Sequence, residues 1–194
     1  MIALSSQQPL TPEEYLELEK TSEIKHEYID GEIYAMAGGT GNHNLISTNL
    51  LILIRNRLND SGCRTYLSDM KVNLQNCRRF FYPDLVVTCD KKDDPKLSYV
   101  HFPKVVIEVL SPSTESFDRG QKFEFYRSIP SLQEYILINS DHYLVECFRR
   151  QKQDIWLLQT YKGLGAIAYI EALDIYAPLS DIYAMVEFEP ATEI

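Results

Sequence analysis

Two apolar runs, Leu85-Val86-Val87 and Val105-Val106-Ile107-Glu108-Val109-Leu110, constrain this chain more than any other feature. Both are bounded by Pro and polar residues, so both read as central strands covered on two faces. Yet each carries a carboxylate, Asp84 at the head of the first and Glu108 inside the second. An unpartnered buried carboxylate costs on the order of several kcal/mol, so it must be protonated, paired or holding a cation. The helical stretch that follows supplies one cation, Lys122, four residues before Tyr126. This constellation points to an enzyme.

The rest of the chain frames these runs. Thr11-Pro12-Glu13-Glu14 is a helix start, with Thr capping, Pro at the first position and acids at the positive dipole end. His26 to Met36 reads as a β-hairpin about Asp30-Gly31. Gly38-Gly39-Thr40-Gly41 reads as a turn, since it lacks the Gly-Lys-Ser/Thr ending of a phosphate loop. Asn42 or Asn44 caps a second helix with apolar positions at Ile46, Leu50, Leu53, Ile54 and Leu58, and Gly62 stops it. His43 falls at its start, either as a solvated or capping residue or as part of a site.

Strands are expected at Cys63 to Leu67, Lys71 to Leu74 and Phe81 to Thr88, then a polar loop at 90–99 and a strand at Lys104 to Leu110. A helix from about Ser116 to Ser128 leads to the strand Glu134 to Asn139, and strand, helix, strand of this length predicts a parallel crossover. Leu144 to Arg149, Ile155 to Tyr161 and Ile167 to Ile170 read as antiparallel strands, with Pro178 to Val186 a closing amphipathic helix. The expected domain plan is a flexible 1–10, one domain over 11–188 and a tail at 189–194.

Composition narrows the class. No stretch approaches the roughly 20 apolar residues of a membrane helix, and the N-terminus lacks a basic n-region and a long apolar run. Cys63, Cys77, Cys89 and Cys147 show no C-x-x-C pairing and read as reduced thiols, which predicts a cytoplasmic protein. A net charge of −9 argues against a nucleic-acid coat protein but not against an enzyme with carboxylates in its site.

On an alternating strand Tyr82, Asp84, Val86 and Thr88 share one face, and Val106, Glu108 and Leu110 share another. Neighbouring strands would let Asp84 and Glu108 converge. Such carboxylates suit Mg²⁺, which takes one or two of them together with water and substrate phosphate. A lysine can then orient the water or stabilise developing negative charge. The rival reading is a structural ion pair, Lys122 with Glu108, or Lys122 with Glu124 and Asp118 on a solvated helix face.

The order of these residues resembles the Uma2 group, a nuclease-like family abundant in cyanobacteria. The matching pieces are Tyr-Pro-Asp-Leu-Val-Val from Tyr82, Val-Ile-Glu-Val-Leu-Ser-Pro-Ser-Thr from Val106, Asp118 with Lys122 and Tyr126, and Glu-Tyr-Ile-Leu-Ile-Asn from Glu134. Glu27 to Glu32 and His43 extend it over most of residues 10–188. The resemblance implies an α/β (α+β) fold with a restriction-endonuclease-like PD-(D/E)xK core, a mixed central sheet flanked by helices, and an added antiparallel C-terminal part. It implies Asp84 and Glu108 as metal ligands, with the Val109 carbonyl third, and Mg²⁺ (Mn²⁺ as substitute) as cofactor. Leu110 stands where the motif expects lysine, and in relatives with this gap the next helix supplies it, which points to Lys122. Glu27, His43 and Tyr126 would support the site.

The expected activity is hydrolysis of DNA phosphodiester bonds by metal-activated water. The alternatives are a non-catalytic interaction module retaining the fold and a hydrolase directed at RNA or nucleotides. Dimerisation would suit a nuclease that cuts both strands, but no residue singles out an interface.

Overall fold

The computed structural model describes residues 3–4, 9–36, 38–59 and 61–188. The chain opens with β1 (Ala3–Leu4), α1 (Pro12–Thr21), β2 (His26–Ile29), β3 (Glu32–Ala35) and α2 (Gly41–Arg57). Next come β4 (Arg64–Leu67), β5 (Lys71–Leu74), β6 (Arg79–Phe81), β7 (Leu85–Thr88), β8 (Tyr99–Val100) and β9 (Pro103–Leu110). A broken helix follows, α3 (Glu115–Phe117) and α4 (Phe123–Arg127) joined by a π turn at Asp118–Lys122. The chain then forms β10 (Glu134–Asn139), β11 (Leu144–Arg150), β12 (Trp156–Lys162), β13 (Ile167–Ile170), β14 (Ile175–Pro178) and α5 (Leu179–Ile182).

These strands make two six-stranded mixed sheets, in the orders β1-β3-β2-β6-β5-β8 and β12-β11-β10-β9-β7-β4, and a two-stranded β13-β14 ribbon. The architecture is the expected α+β arrangement, with β9 and β10 parallel across the broken helix. Alternation along β9 explains the layering. Val105, Ile107 and Val109 join Ile46, Leu50 and Ile54 of α2 in one apolar cluster. Val106 and Leu110 face the other way, onto Val72, Leu74 and Phe81 of the first sheet and Tyr126 of α4. The second sheet is therefore covered on both faces, as its unbroken apolar runs require. Glu108 lies on the face turned toward the first sheet, where it is buried.

Local signals explain most element ends. Thr11 caps α1 in a reciprocal capping box with Glu14. The Asp30-Gly31 turn has positive φ at both residues (49° and 106°), the backbone a tight two-residue hairpin needs. A Cβ at Gly31 would also stand 2.7 Å from Pro9 Cβ. Gly31→Ala should therefore lower the free energy of unfolding by about 1 kcal/mol or more, read as a lower urea midpoint at constant slope. An unchanged midpoint would contradict this reading of the turn.

Several expectations are corrected. Phe81 to Thr88 is not one strand. Pro83 cannot donate to a ladder, and the chain leaves the first sheet after Phe81 and enters the second at Leu85. Tyr82 and Asp84 thus lie in a link between sheets and not on one strand face. The cap of α2 is Thr40, whose hydroxyl accepts the His43 N–H, and not Asn42 or Asn44. Those asparagines lie inside the helix, and Asn42 donates instead to the Glu187 carbonyl. The expected closing helix over Pro178 to Val186 is a single turn, α5, since Pro178 ends β14 and the backbone leaves helical angles at Tyr183 and reaches positive φ at Met185. The four cysteines are not all reduced. Cys63 and Cys89 are joined in a disulfide, with Cα atoms 4.0 Å apart, whereas Cys77 and Cys147 are free thiols. The β4–β7 register, Arg64 opposite Thr88, places the two bonded cysteines just past the end of the ladder.

Within the first ten residues Ala3–Leu4 pairs with β3, and the Leu10 N–H donates to the Gly31 carbonyl. Most of that segment, like the tail at 189–194, lies outside the described residues. No described helix is long and apolar enough to cross a membrane.

Candidate active site

The link Tyr82-Pro83-Asp84 sets the geometry. The β7–β9 ladder begins at Leu85 opposite Ile107, so the Val109 N–H projects past the end of β7. The Asp84 carboxylate takes it, with Oδ2 2.7 Å from the Val109 nitrogen. His43, in the first turn of α2, places Nε2 3.1 Å from the same oxygen. On the other side of the link, the Tyr82 N–H donates to Glu27 Oε1 of β2 at 3.3 Å. One three-residue segment thus ties both sheets and α2 to a single acidic point.

Lys122 enters from the opposite wall. Its Nζ lies 2.9 Å from Glu108 Oε1, 3.0 Å from Glu27 Oε1 and 3.5 Å from Asp118 Oδ1. All four of these side chains are about 95% buried. Asp118 and Lys122 bound the π turn and are both buried, four residues apart as on one helix face. The fully buried Tyr126 packs edge-on against Phe81, and its hydroxyl has no hydrogen-bond partner.

The charges do not balance. Three carboxylates, Glu27, Glu108 and Asp118, share the one Lys122 ammonium, and a fourth, Asp84, is held beside them by His43. Burial pushes the Glu108 carboxyl well above the usual carboxylate range, against the pull of Lys122, and the charges of Asp118, Asp84 and Glu27 push the same way. Burial also raises Glu27, more weakly. For Lys122 desolvation acts downward, but Glu108, Glu27 and Asp118 outweigh it and hold the ammonium charged. Burial lowers His43, and the Asp84 hydrogen bond and charge, with the Val109 carbonyl, more than reverse this. Glu108 Oε1 meets Lys122 at ion-pair distance yet has no aligned hydrogen bond.

Among the described residues no group of three His, Cys, Asp or Glu side chains is arranged to hold a metal. The donor chemistry excludes a closed zinc centre and suits a hard cation that keeps most of its waters, bound by two carboxylates and a backbone carbonyl. The crowding of carboxylates and the poorly satisfied Glu108 oxygen fit such a cation.

A family model described as "Uma2: Putative restriction endonuclease" matches residues 12–177. The chain belongs to the Uma2 family. Among its relatives, "Uncharacterized protein slr1290" of Synechocystis sp. is 42% identical over 84% of this chain and 87% of its own length. "Uncharacterized protein sll1609" of the same organism is 38% identical over 86% and 95%. The fold is shared with a solved structure described as a putative nuclease belonging to DUF820, from Anabaena variabilis. It has a TM-score of 0.74 at 18% identity and covers 92% of this chain and 100% of that one. Family and fold together support a nuclease.

Within this Uma2 chain the structure brings together Asp84, Glu108, Lys122, Glu27 and His43, with the Val109 backbone at the junction. Glu27, expected only to support the site, touches Lys122 directly. Asp118, which the sequence offers as part of the family resemblance and as an ion-pair partner on a solvated face but not as a site residue, is buried within the cluster. Its spacing of four from Lys122 is the signal that could have found it. Arg119 is a further neighbour. It bridges Glu115 at 2.7 Å and Glu146 at 2.6 Å, and Glu146 lies in the same cross-strand row as Glu108 through Leu137.

Proposed function

We propose that this Uma2 protein is a metal-dependent endonuclease that hydrolyses DNA phosphodiester bonds, with residues 11–188 as its single catalytic unit. The observation that carries this reading is the buried acidic cluster, in which Glu27, Glu108 and Asp118 share a single lysine at the junction of both sheets. Asp84, Glu108 and the Val109 carbonyl are the ligands we assign to Mg²⁺, or Mn²⁺ in its place. The cation, when bound, neutralises phosphoryl charge and acidifies water.

The protein's own groups do the rest. The Val109 N–H and His43 both hold Asp84 Oδ2, and Oδ1 is the oxygen we assign to the cation. Glu27 and Asp118 hold the Lys122 ammonium against Glu108. Lys122 is thereby preorganised to stabilise the charge that grows on the phosphoryl oxygens as water adds to phosphorus and the bond to the leaving sugar oxygen breaks. Arg119, partly exposed beside this cluster, offers a second cation to a neighbouring phosphate.

The 2.9 Å contact of Lys122 with Glu108 also favours a second reading, a structural ion pair in a non-catalytic interaction module. The first experiment incubates plasmid, single-stranded DNA and RNA with the protein in Mg²⁺ or Mn²⁺, beside a Glu108→Ala control. Metal-dependent cutting of plasmid by the wild type alone supports the proposal. Cutting of RNA alone redirects it to an RNA-specific hydrolase, and no cutting by folded wild type removes it.

Binding should follow the same electrostatics. In EDTA the carboxylates repel phosphate, so DNA affinity is weak. In Ca²⁺ it should rise, then fall steeply with added salt as released counterions dominate. Tight, salt-insensitive binding in EDTA, measured by fluorescence anisotropy, contradicts the assigned site.

A further inference from the structure

Among the described residues the second sheet ends on an open edge. There β12 (Trp156–Lys162) has a partner on one side only, β11, in a seven-residue antiparallel register from Leu144 opposite Lys162 to Arg150 opposite Trp156. Two flanking hydrogen bonds fix which way its backbone points. Gly163 N–H donates to the Tyr143 carbonyl, and Gln151 N–H donates to the Ile155 carbonyl. These are hydrogen-bonded pairs, and such pairs alternate along an antiparallel ladder. The backbone groups of Leu157, Gln159 and Tyr161 therefore face β11. Those of Trp156, Leu158, Thr160 and Lys162 face outward, along the open edge.

Soluble proteins blunt such edges with charge, proline or bulges. This one has no proline, and its single charge is at one end. Residues 155–170 contain one charged side chain, Lys162, in a chain that is 24% charged. Leu157 is 53% exposed and Leu158, on the opposite face, 46%. Half of the large exposed apolar side chains among the described residues fall between Ile155 and Tyr176, so the apolar surface is concentrated here.

We propose that β12 pairs with β12 of a second copy of this chain, antiparallel across a two-fold axis at Gln159. The edge calls for an extended strand, and its own sequence is self-complementary. Centring on Gln159 pairs all seven residues, with Leu158 opposite Thr160 and Leu157 opposite Tyr161. It also sets each Lys162 against the partner's Trp156, so the two ammonium groups are never opposed. Elsewhere two copies of a chain of net charge −9 repel each other, but this edge carries no acid. The interface is isologous and closed, so it ends at two copies.

On the proposed nuclease reading the arrangement has a consequence. The axis is normal to the sheet, so both acidic sites face the same side. They lie seven strand spacings apart, roughly 34 Å along the sheet before twist, about one turn of duplex.

The test is oligomeric state, which does not depend on cleavage. Light scattering and sedimentation of the full chain at micromolar concentration should give a dimer. Leu158→Lys, which changes only an exposed side chain, and Thr160→Pro, which removes an outward N–H, should both give monomers with the wild-type circular dichroism spectrum. Gln159→Cys should cross-link to a covalent dimer on mild oxidation, because non-hydrogen-bonded pairs bring Cα atoms to about 4.5 Å. The wild type, with its own free cysteines, should not. A monomeric wild type overturns the proposal, as does a dimer that survives Leu158→Lys or a Gln159→Cys protein that stays uncross-linked. If Thr160→Pro fails to fold, the other two variants decide.

Discussion

Lys122→Met should lower cleavage by roughly 100-fold or more, the scale for losing one preorganised charge contact. The same change leaves Glu27, Glu108 and Asp118 buried without their cation, so metal-free stability should fall by about 3 kcal/mol at neutral pH. The dependence on pH has a definite sign. The Lys122 ammonium is held above its unfolded value, so its stabilising contribution is complete below the ordinary lysine range and is lost only as pH rises through the folded value. The carboxylates it serves are raised by burial and bind protons more readily when folded. The deficit of Lys122→Met should therefore shrink toward the ordinary carboxylate range, where those groups are neutral, and widen as pH rises. Cleavage normalised to the folded fraction, with urea melts at several pH values, checks both parts. Near-normal turnover removes Lys122 from the mechanism.

Glu108→Gln should abolish cleavage while leaving the metal-free protein as stable as wild type, or more so, at neutral pH. The substituted amide does not strand the lysine, because Glu27 at 3.0 Å and Asp118 at 3.5 Å remain. It removes one of the mutually repelling carboxylates, a repulsion worth on the order of 1 kcal/mol where solvent penetrates. The folded value of Glu108 is raised, so its contribution is favourable below the unfolded range and is lost as pH climbs through the folded value. In EDTA the wild type should thus lose stability as pH rises, and Glu108→Gln should flatten that decline. Excess Mg²⁺ should stabilise the wild type, by about 2.7 kcal/mol at one hundred times its dissociation constant, and leave Glu108→Gln unmoved. A large melting loss for Glu108→Gln in EDTA, with a wild type indifferent to Mg²⁺, would instead establish a structural ion pair.

The parts of this site that are legible in the sequence are those set by local rules. Asp30-Gly31 announces its hairpin because few residues tolerate two positive φ angles in succession. Glu108 stands out because a carboxylate inside an apolar strand demands a partner. The convergence of Asp84 with this strand follows from sequence reasoning for the wrong reason. Alternation along one continuous strand predicts it, but Pro83 breaks the strand, and Asp84 arrives by capping the Val109 N–H. The weight of Glu27 is hidden because its contact with Lys122 depends on how the two sheets dock, which no local pattern encodes. The Cys63–Cys89 bond is hidden because it depends on the β4–β7 register, 26 residues apart in sequence. Asp118 and Lys122 look like an ordinary pair on a regular helix, and nothing in their spacing announces a π turn.

That turn makes the segment a matter of phase. Its extra residue advances all that follows by about 100° relative to an uninterrupted helix. Deleting any one residue between Asp118 and Lys122 would restore regular pitch and swing either the lysine or its acidic neighbours off the sheet, with the composition almost unchanged. This stretch can exchange side chains more readily than it can change their number, so a one-residue gap here should count for more than several substitutions.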